Sequence, residues 1–505
     1  MTPQELEHSY QREKPLFHHY LDSIKKRAPR DIFTILNATL TKNPYATVFP
    51  KHFFSKQTPA SNIFWVFIKN TILFYGKNFY VLFTYLISYL VYKIYFTKER
   101  RSKPTTLIDV FALVDTVNRN GTFKDSYFTD LYDVFEKYSR PYTLLLRFYG
   151  AGKNPFKLIP FFKIINQDRR DFLLEFELLT LRDFLELAML FLAYPFKTLR
   201  LWQKPHNLDD RIFNHALVSD IKNVSFESFS RYVLGKNVAN IPTVEKIFSW
   251  SEFQAVERGF NFGIRKNNPN IELVGCQFFL NYETYFNAYV DDLDFEMLSS
   301  PHKVLVNGSH YILHRKHLRY ETGGSLRYKE LFHFDGIKEE KNIIILGSYI
   351  ESDTRYMLES VPRFSDVIFK NHPAVAIQRL YPLPSNVILS NESIYTLFAH
   401  AKMVIGTASG TLVEAVASGV SVIIVASQSN LTANPLVEHG KGEIWEIAFS
   451  KDDIPMLYNK LLNFRQENRS RIQEIAKWYK NNFFIEPTEA TICKVFELKQ
   501  EAAKE

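Results

Sequence analysis

The residues best equipped for chemistry cluster between Val367 and Ala426, which read VIFKNHPAV and then NVILSNESIYTLFAHAKMVIGTASGTLVEAVASGVSVIIVA. Lys370, His372 and Pro373 follow one apolar run. Thr407, Ser409, Gly410 and Thr411 occupy the turn after another. A strand, a small-residue turn and a helix start expose backbone N–H groups and a positive dipole end, which together suit a phosphate. Lys370 and His372 would add a cation and a hydrogen-bond donor. Glu414, about one turn inside the following helix, would reach ribose hydroxyls. Gly347 and Ser348 close the NIIIL run and would approach a ligand backbone-first. Gly/Ser-rich turns occur in any doubly wound domain, so the weight rests on the order and spacing of these elements.

The positioning elements are short apolar runs of buried parallel strands: Val367–Phe369, Met403–Ile405 and Val420–Val425. Leu412–Ser418 reads as a helix that Gly419 stops. Asn342–Gly347 and Ile444–Phe449 add strands to the same sheet, and helices are expected at Ile454–Phe464, Ile472–Tyr479 and Ala490–Leu498. An earlier series, Thr106–Val114, Tyr142–Phe148, Lys246–Trp250, Ile271–Phe279 and Val304–Val306, makes a first α/β domain. A polar, glycine-containing linker is expected from Tyr320 to Lys341. Ser251 is placed to cap a helix, with Gln254 completing a capping box. Glu252, just past a strand end, is the candidate general base. Glu257 is its competitor, although Glu257 and Arg258 could equally form salt bridges on a solvated face. Asp115, Lys124 and Asp125, in the loop after the first strand, together with Glu257 and Arg258, are candidate acceptor-side residues.

The succession KNHP, GTASGT, EAVASG resembles the C-terminal half of GT-B glycosyltransferases, particularly bacterial surface-polysaccharide enzymes with an HP motif and a Ser-containing phosphate loop. W-S-E-x-Q-x-x-E-R-G, I-x-L-x-G-x-Q and V-L-V-N-G are similar to the N-terminal half of surface-carbohydrate glycosyltransferases. The resemblance covers about 105–430. It implies two Rossmann-like domains facing a cleft: 104–335 for the acceptor and 336–505 for a nucleotide-sugar donor; it does not extend to the first hundred residues, where the apolar and aromatic content itself suggests a helical, aromatic-rich extension over 1–103. It also implies donor contacts at Asn307 and Gly308, no cofactor, no metal, and a lipid-linked or surface-glycan acceptor. Sialyltransferase-like and Kdo-transferase-like relatives carry two adjacent serines where this chain has Ala408-Ser409. Three rivals share the fold: a teichoic-acid-type polyol-phosphate transferase, a non-hydrolysing sugar-nucleotide epimerase and a non-catalytic scaffold.

Composition bounds the partners. A net charge of +8 with 45 Phe and 28 Tyr favours an anionic membrane surface over nucleic acid, for which no signature is present. Residues 62–96 are strongly apolar, but their charge-free core, Phe79–Tyr92, is shorter than the roughly 20 residues a spanning helix needs. An interfacial or re-entrant anchor is expected, with a spanning or a buried helix as alternatives, and the KERRSK run that follows would lie at the cytoplasmic surface. Residues 178–202 form either a core helix or a second docking face. The polar N-terminus does not read as a cleaved secretory signal, and Cys276 and Cys493 offer neither a disulfide framework nor a CxxC site. A cytoplasmic location at the inner membrane face is expected. Asp292-Leu293-Asp294, extended by Asp291, formally matches a DxD metal site but lacks the apolar strand that should precede it. His310, His314 and His317 complete no zinc pattern. Residues 1–60 suggest no chemistry.

Overall fold

Two parallel sheets carry the chain. The computed structural model describes residues 1–43, 45–57, 61–97, 103–149, 154–360, 364–373 and 375–498. The first sheet holds β1 (Thr106–Leu113), β2 (Thr143–Tyr149), β3 (Phe172–Leu174), β4 (Lys246–Trp250), β5 (Glu272–Gln277), β6 (Lys303–Val306) and β7 (Arg319–Thr322), in the order β3-β2-β1-β4-β5-β6-β7. The second holds β8 (Asn342–Leu346), β9 (Val367–Lys370), β10 (Val387–Leu389), β11 (Ala401–Gly406), β12 (Ser421–Val425) and β13 (Trp445–Ala448), in the order β10-β9-β8-β11-β12-β13. Helices cover both faces, so the central strands are apolar throughout rather than alternating. This is the GT-B architecture. The expected linker from Tyr320 contains β7, because Tyr320 is buried and pairs with Val304.

Each sheet reverses its strand order once, between β1 and β4 and between β8 and β11. Open α/β sheets bind ligands outside the carboxyl ends of the strands at such points. The two domains are closed on each other. Phe253, Leu280 and Val306 of the first share one buried apolar cluster with Leu346, Leu412 and Val416 of the second. The chain end returns to the first domain: Phe496 packs on Phe248 with ring centroids 4.9 Å apart, and Lys137 pairs with Glu489 at 2.7 Å.

The described residues of the N-terminal extension pack against this body. From the helix Pro3–Arg27, Lys25 reaches Asp294 at 3.0 Å, where Arg258 also binds at 2.6 Å, and all three are buried. Arg258 therefore belongs to an interior ion cluster, not to an acceptor-facing or solvated surface. Asp291 caps a short helix, and Asp292 accepts backbone N–H groups of Lys316, His317 and Leu318, so the DxD triplet holds structure together. Among the described residues no helix is long and apolar enough to cross a membrane. Residues 98–102 of the basic run lie outside the described residues.

The helices Phe226–Ala239 and Ala255–Asn267 touch through glycine. A Cβ on Gly263 would lie 2.4 Å from the Tyr232 carbonyl oxygen, and one on Gly259 would lie 2.6 Å from that of Ser228. Gly263→Ala should force these backbones apart and destabilise the protein by about 1–3 kcal/mol. Thermal unfolding checks this; an unchanged midpoint would mean that the helices can separate freely.

Candidate functional site

The loop after β4 carries Glu252. Gln254, not Ser251, is the N-cap of the next helix, which starts at Ala255 and has Glu257 completing its capping box. Glu252 therefore sits in the connecting loop, ahead of the helix. Its two carboxylate oxygens accept hydrogen bonds from the Trp250 indole at 3.3 Å and the Gln254 amide at 2.8 Å. Asn287 donates to its carbonyl at 2.8 Å. These contacts hold a half-buried carboxylate in one orientation, as a general base requires.

Glu257 does not face the acceptor. It is buried and paired with Arg147, whose guanidinium also binds Asp109 at 2.7 Å. Asp125 is likewise interior: it accepts the Tyr127 and Phe128 N–H groups and the Tyr132 hydroxyl, and burial raises its pKa. Asp115 is exposed and paired with Lys157 at 3.0 Å, and Lys124 is exposed. The loop's charged residues do not converge. Asn307 and Gly308 are also absent from the donor side. Asn307 is fully buried and donates to the Phe279 carbonyl at 3.1 Å, while a Cβ on Gly308 would lie 2.3 Å from the Asn482 carbonyl oxygen. The close approach that Gly308 permits is that of the C-terminal helix Arg469–Phe483.

In the second domain the expected residues do gather, at the carboxyl ends of β8, β9 and β11. Asn371 pins the turn by accepting the Ile377 N–H at 3.0 Å. His372 is half-buried and edge-on to Tyr349, centroids 5.9 Å apart, with Pro373 exposed beside it. Burial lowers the pKa of His372, so near neutral pH it is an uncharged donor and acceptor. Lys370 donates to the Glu392 carbonyl, and burial lowers its pKa also. A Cβ on Gly347 would meet the His372 nitrogen at 3.0 Å, so Gly347 serves strand approach. Ser348 is turned inward, giving its N–H to Thr354 Oγ1 at 2.8 Å.

The turn after β11 meets the first domain directly. Ala408 adopts φ +50°, and its carbonyl accepts the Tyr282 hydroxyl at 3.2 Å. A Cβ on Gly410 would touch Leu280 at 3.0 Å. Ser409 and Thr411 are half-exposed, whereas Thr407 Oγ1 is buried without a hydrogen-bond partner. The helix Thr411–Ala417 has only seven residues, so its free N–H groups matter more than a macrodipole. Glu414 is buried and accepts the Tyr395 hydroxyl at 2.5 Å. Burial raises its pKa, while Tyr395 and the charge of Arg327 pull it down.

Several site residues gave no clear sequence signal. Tyr282 and Tyr285 come from the loop after β5, Tyr349 from the turn after β8, and Tyr45 from the extension. Tyr45 lies 6.1 Å from Tyr285 and 5.2 Å from Tyr349, centroid to centroid. Gln254 links Glu252 to the Tyr285 hydroxyl at 3.1 Å, which completes an aromatic bridge from the Glu252 side to His372. Arg327, exposed, lies over Tyr127 and Trp250 at 5.3 and 5.4 Å. The tyrosine-rich run NYETYFNAY just after a strand was the one available hint.

No family model matches the chain, and no curated protein does. Among solved structures it is similar to a UDP-N-acetylglucosamine 2-epimerase at 11% identity, covering 79% of this chain and 98% of that one, with a TM-score of 0.41. It is also similar to CalG4, the calicheamicin glycosyltransferase, at 12% identity over 80% and 100%, TM-score 0.40. A third is the wall teichoic acid polymerase TagF, at 9% identity over 81% and 91%, TM-score 0.36. With TM-scores this low, these likenesses have no bearing on the chemistry of the site.

Asp353, in the helix Glu351–Leu358 that follows Tyr349, is 4% exposed; Ser427 donates to one oxygen at 3.0 Å and the other has no partner. Burial pushes its pKa up to about 6, above the unfolded value of about 3.9. A raised value contributes stability below pH ~4 that is lost as pH rises through ~6. Asp353→Asn should therefore gain on the wild type between pH 5 and pH 8 in thermal midpoint. A constant difference across that range would refute the assignment.

Proposed function

We propose that the chain is a metal-independent GT-B glycosyltransferase that moves a sugar from a nucleotide-sugar donor to a lipid-linked or surface-glycan acceptor. The setting is the cytoplasmic membrane face, in capsule, O-antigen or similar polysaccharide synthesis. One observation carries the reading: the switch-point loops of the two sheets, Trp250–Gln254 and Thr407–Thr411, face a common aromatic seam. An oriented carboxylate lies on one side and phosphate-type donors on the other.

In this reading the acceptor hydroxyl oxygen attacks the anomeric carbon and gives its proton to Glu252. The bond from that carbon to the donor phosphate oxygen breaks, and its electron pair leaves with the nucleotide. Lys370, neutral His372, the Ser409 and Thr411 hydroxyls and the N–H groups of Ser409 and Gly410 stabilise the departing phosphate. Glu414 serves the ribose once Tyr395 yields. The scaffold alternative is favoured by one feature: Tyr45, Tyr282, Tyr285 and Tyr349 occupy the space between the two sides. Catalysis requires these rings to move or the domains to open. A polyol-phosphate transferase would use the same phosphate contacts.

Thermal shift with UDP, GDP, CMP, CDP and dTDP separates these readings. The expected result is a rise with one nucleotide, about 2.7 kcal/mol of stabilisation at a hundredfold excess over Kd. His372→Ala and Ser409→Ala should abolish it. Glu252→Gln should keep the shift and lower turnover by about 10²–10⁴-fold. A shift with CDP alone, with phosphodiester product, would select the polyol-phosphate transferase; no shift in folded protein would select the scaffold.

A further inference from the structure

The helix Ile63–Tyr95 has two unlike faces. Its inner face is bolted to the protein. Phe74, Leu82 and Tyr85 enter the core of the first domain, and Asn70 and Asn78 donate to the carbonyls of Val218 and Val224 at 3.2 and 3.4 Å. The helix Leu181–Thr198 lies beside it in the opposite direction: Phe67 meets Phe196 and Phe79 meets Phe191, while Tyr89, nearer the other end, meets Phe184. The outer faces of both helices expose large apolar side chains. Trp65, Ile72, Tyr80 and Phe83 on the first, with Leu185 and Met189 on the second, are each more than 60% exposed. An exposed apolar surface built from adjacent helices marks an interaction site.

We propose that this helix pair is a monotopic platform that docks the protein in the plane of an anionic bilayer. Charge selects that occupant. The longer helix contains no Asp or Glu, and its exposed face carries Lys69 and Lys77. On the shorter helix Arg182 and Lys197 are exposed, Asp183 is buried and Glu186 is paired with Lys236 at 2.6 Å. Apolar side chains flanked by lysine and arginine match the boundary between acyl chains and anionic headgroups. Trp65, Tyr80 and Trp202 supply amphipathic rings for that depth. Docking lies in the plane, because a helix bound along its length to a folded domain by Asn70 and Asn78 cannot turn to span the bilayer. The proposal deepens the membrane-side part of the function proposed above and rests on it only for the source of the acceptor.

Flotation of the full chain with vesicles tests it. The lipid is phosphatidylcholine alone or phosphatidylcholine partly replaced by phosphatidylglycerol, and nucleotide thermal shift is read on the same samples. Wild type should float with the anionic vesicles. The exposed-site variant W65Q/F83Q/L185Q/M189Q should partition at least about tenfold less, and K69E/K77E should lose about tenfold on anionic vesicles. Both variants should keep the wild-type thermal midpoint. Wild type that floats with neither vesicle overturns the proposal. So does a dimer in solution that becomes monomeric in the four-glutamine variant, since a second copy would then be the occupant. Flotation without any nucleotide shift would leave the platform standing and remove the transferase reading.

Discussion

The site depends on a guanidinium buried beneath it. Arg147, on β2, binds Asp109 of β1 through two nitrogens, Ser249 Oγ and the Trp250 carbonyl of β4, and Glu257 of the following helix. Arg231, from the helix Phe226–Ala239, adds a second cation to Asp109 at 2.7 Å. A charge taken from water is tolerable when its donors are matched by acceptors, and the acceptors of Arg147 come from two neighbouring strands and the helix that follows β4, whereas Arg231 keeps Nε and Nη1 buried without a hydrogen-bond partner. Glu257 also closes the capping box at Gln254, whose amide holds Glu252. The orientation of the proposed base is thus inherited from an ion cluster one layer below, and the glycine contact between the two helices sets how near that layer can come.

Closure of the two domains rests on different physics. The seam between them is aromatic, with hydroxyls that reach backbone carbonyls, as Tyr282 does at Ala408 and Thr284 does at Thr432. Apolar rings with polar tips make a contact that is stable closed yet leaves groups that water can satisfy when it opens. Such a seam suits domains that part for substrate. Tyr45 brings the N-terminal extension into this seam, and the helix Pro3–Arg27 of that extension is anchored on the first domain through Lys25.

The long helix of the extension has two chemically unlike faces. Its asparagines look inward, where they satisfy carbonyl groups, and its lysines look outward among aromatic and aliphatic side chains. Averaged along the chain, this mixture falls between the hydropathy of a spanning segment and that of a core helix. The ambiguity of residues 62–96 and 178–202 as sequence has this origin, because averaging discards the angle around the helix that separates the faces.

What the sequence determined by itself was local. Continuous β-branched runs such as IIIL and SVIIV declare buried parallel strands, and the turn between β11 and its helix declares a phosphate-compatible loop, because strand burial and turn chemistry depend on neighbours in the chain. Lys370, His372, Ser409 and Thr411 were legible for that reason, and the structure gathers them at one sheet edge. Tertiary structure decided which carboxylates are free. Glu252 and Glu257 are five residues apart and chemically alike, yet one is held at a loop surface and the other is locked to Arg147, a partner 110 residues away. Asn307, Gly308 and Arg258 are interior for the same reason, since their partners are Phe279, Asn482 and Asp294. Tyr45 entered the cleft with no local sign at all. Pairing across such separations is set by how sheets and helices close on each other, and no short stretch of sequence carries that information.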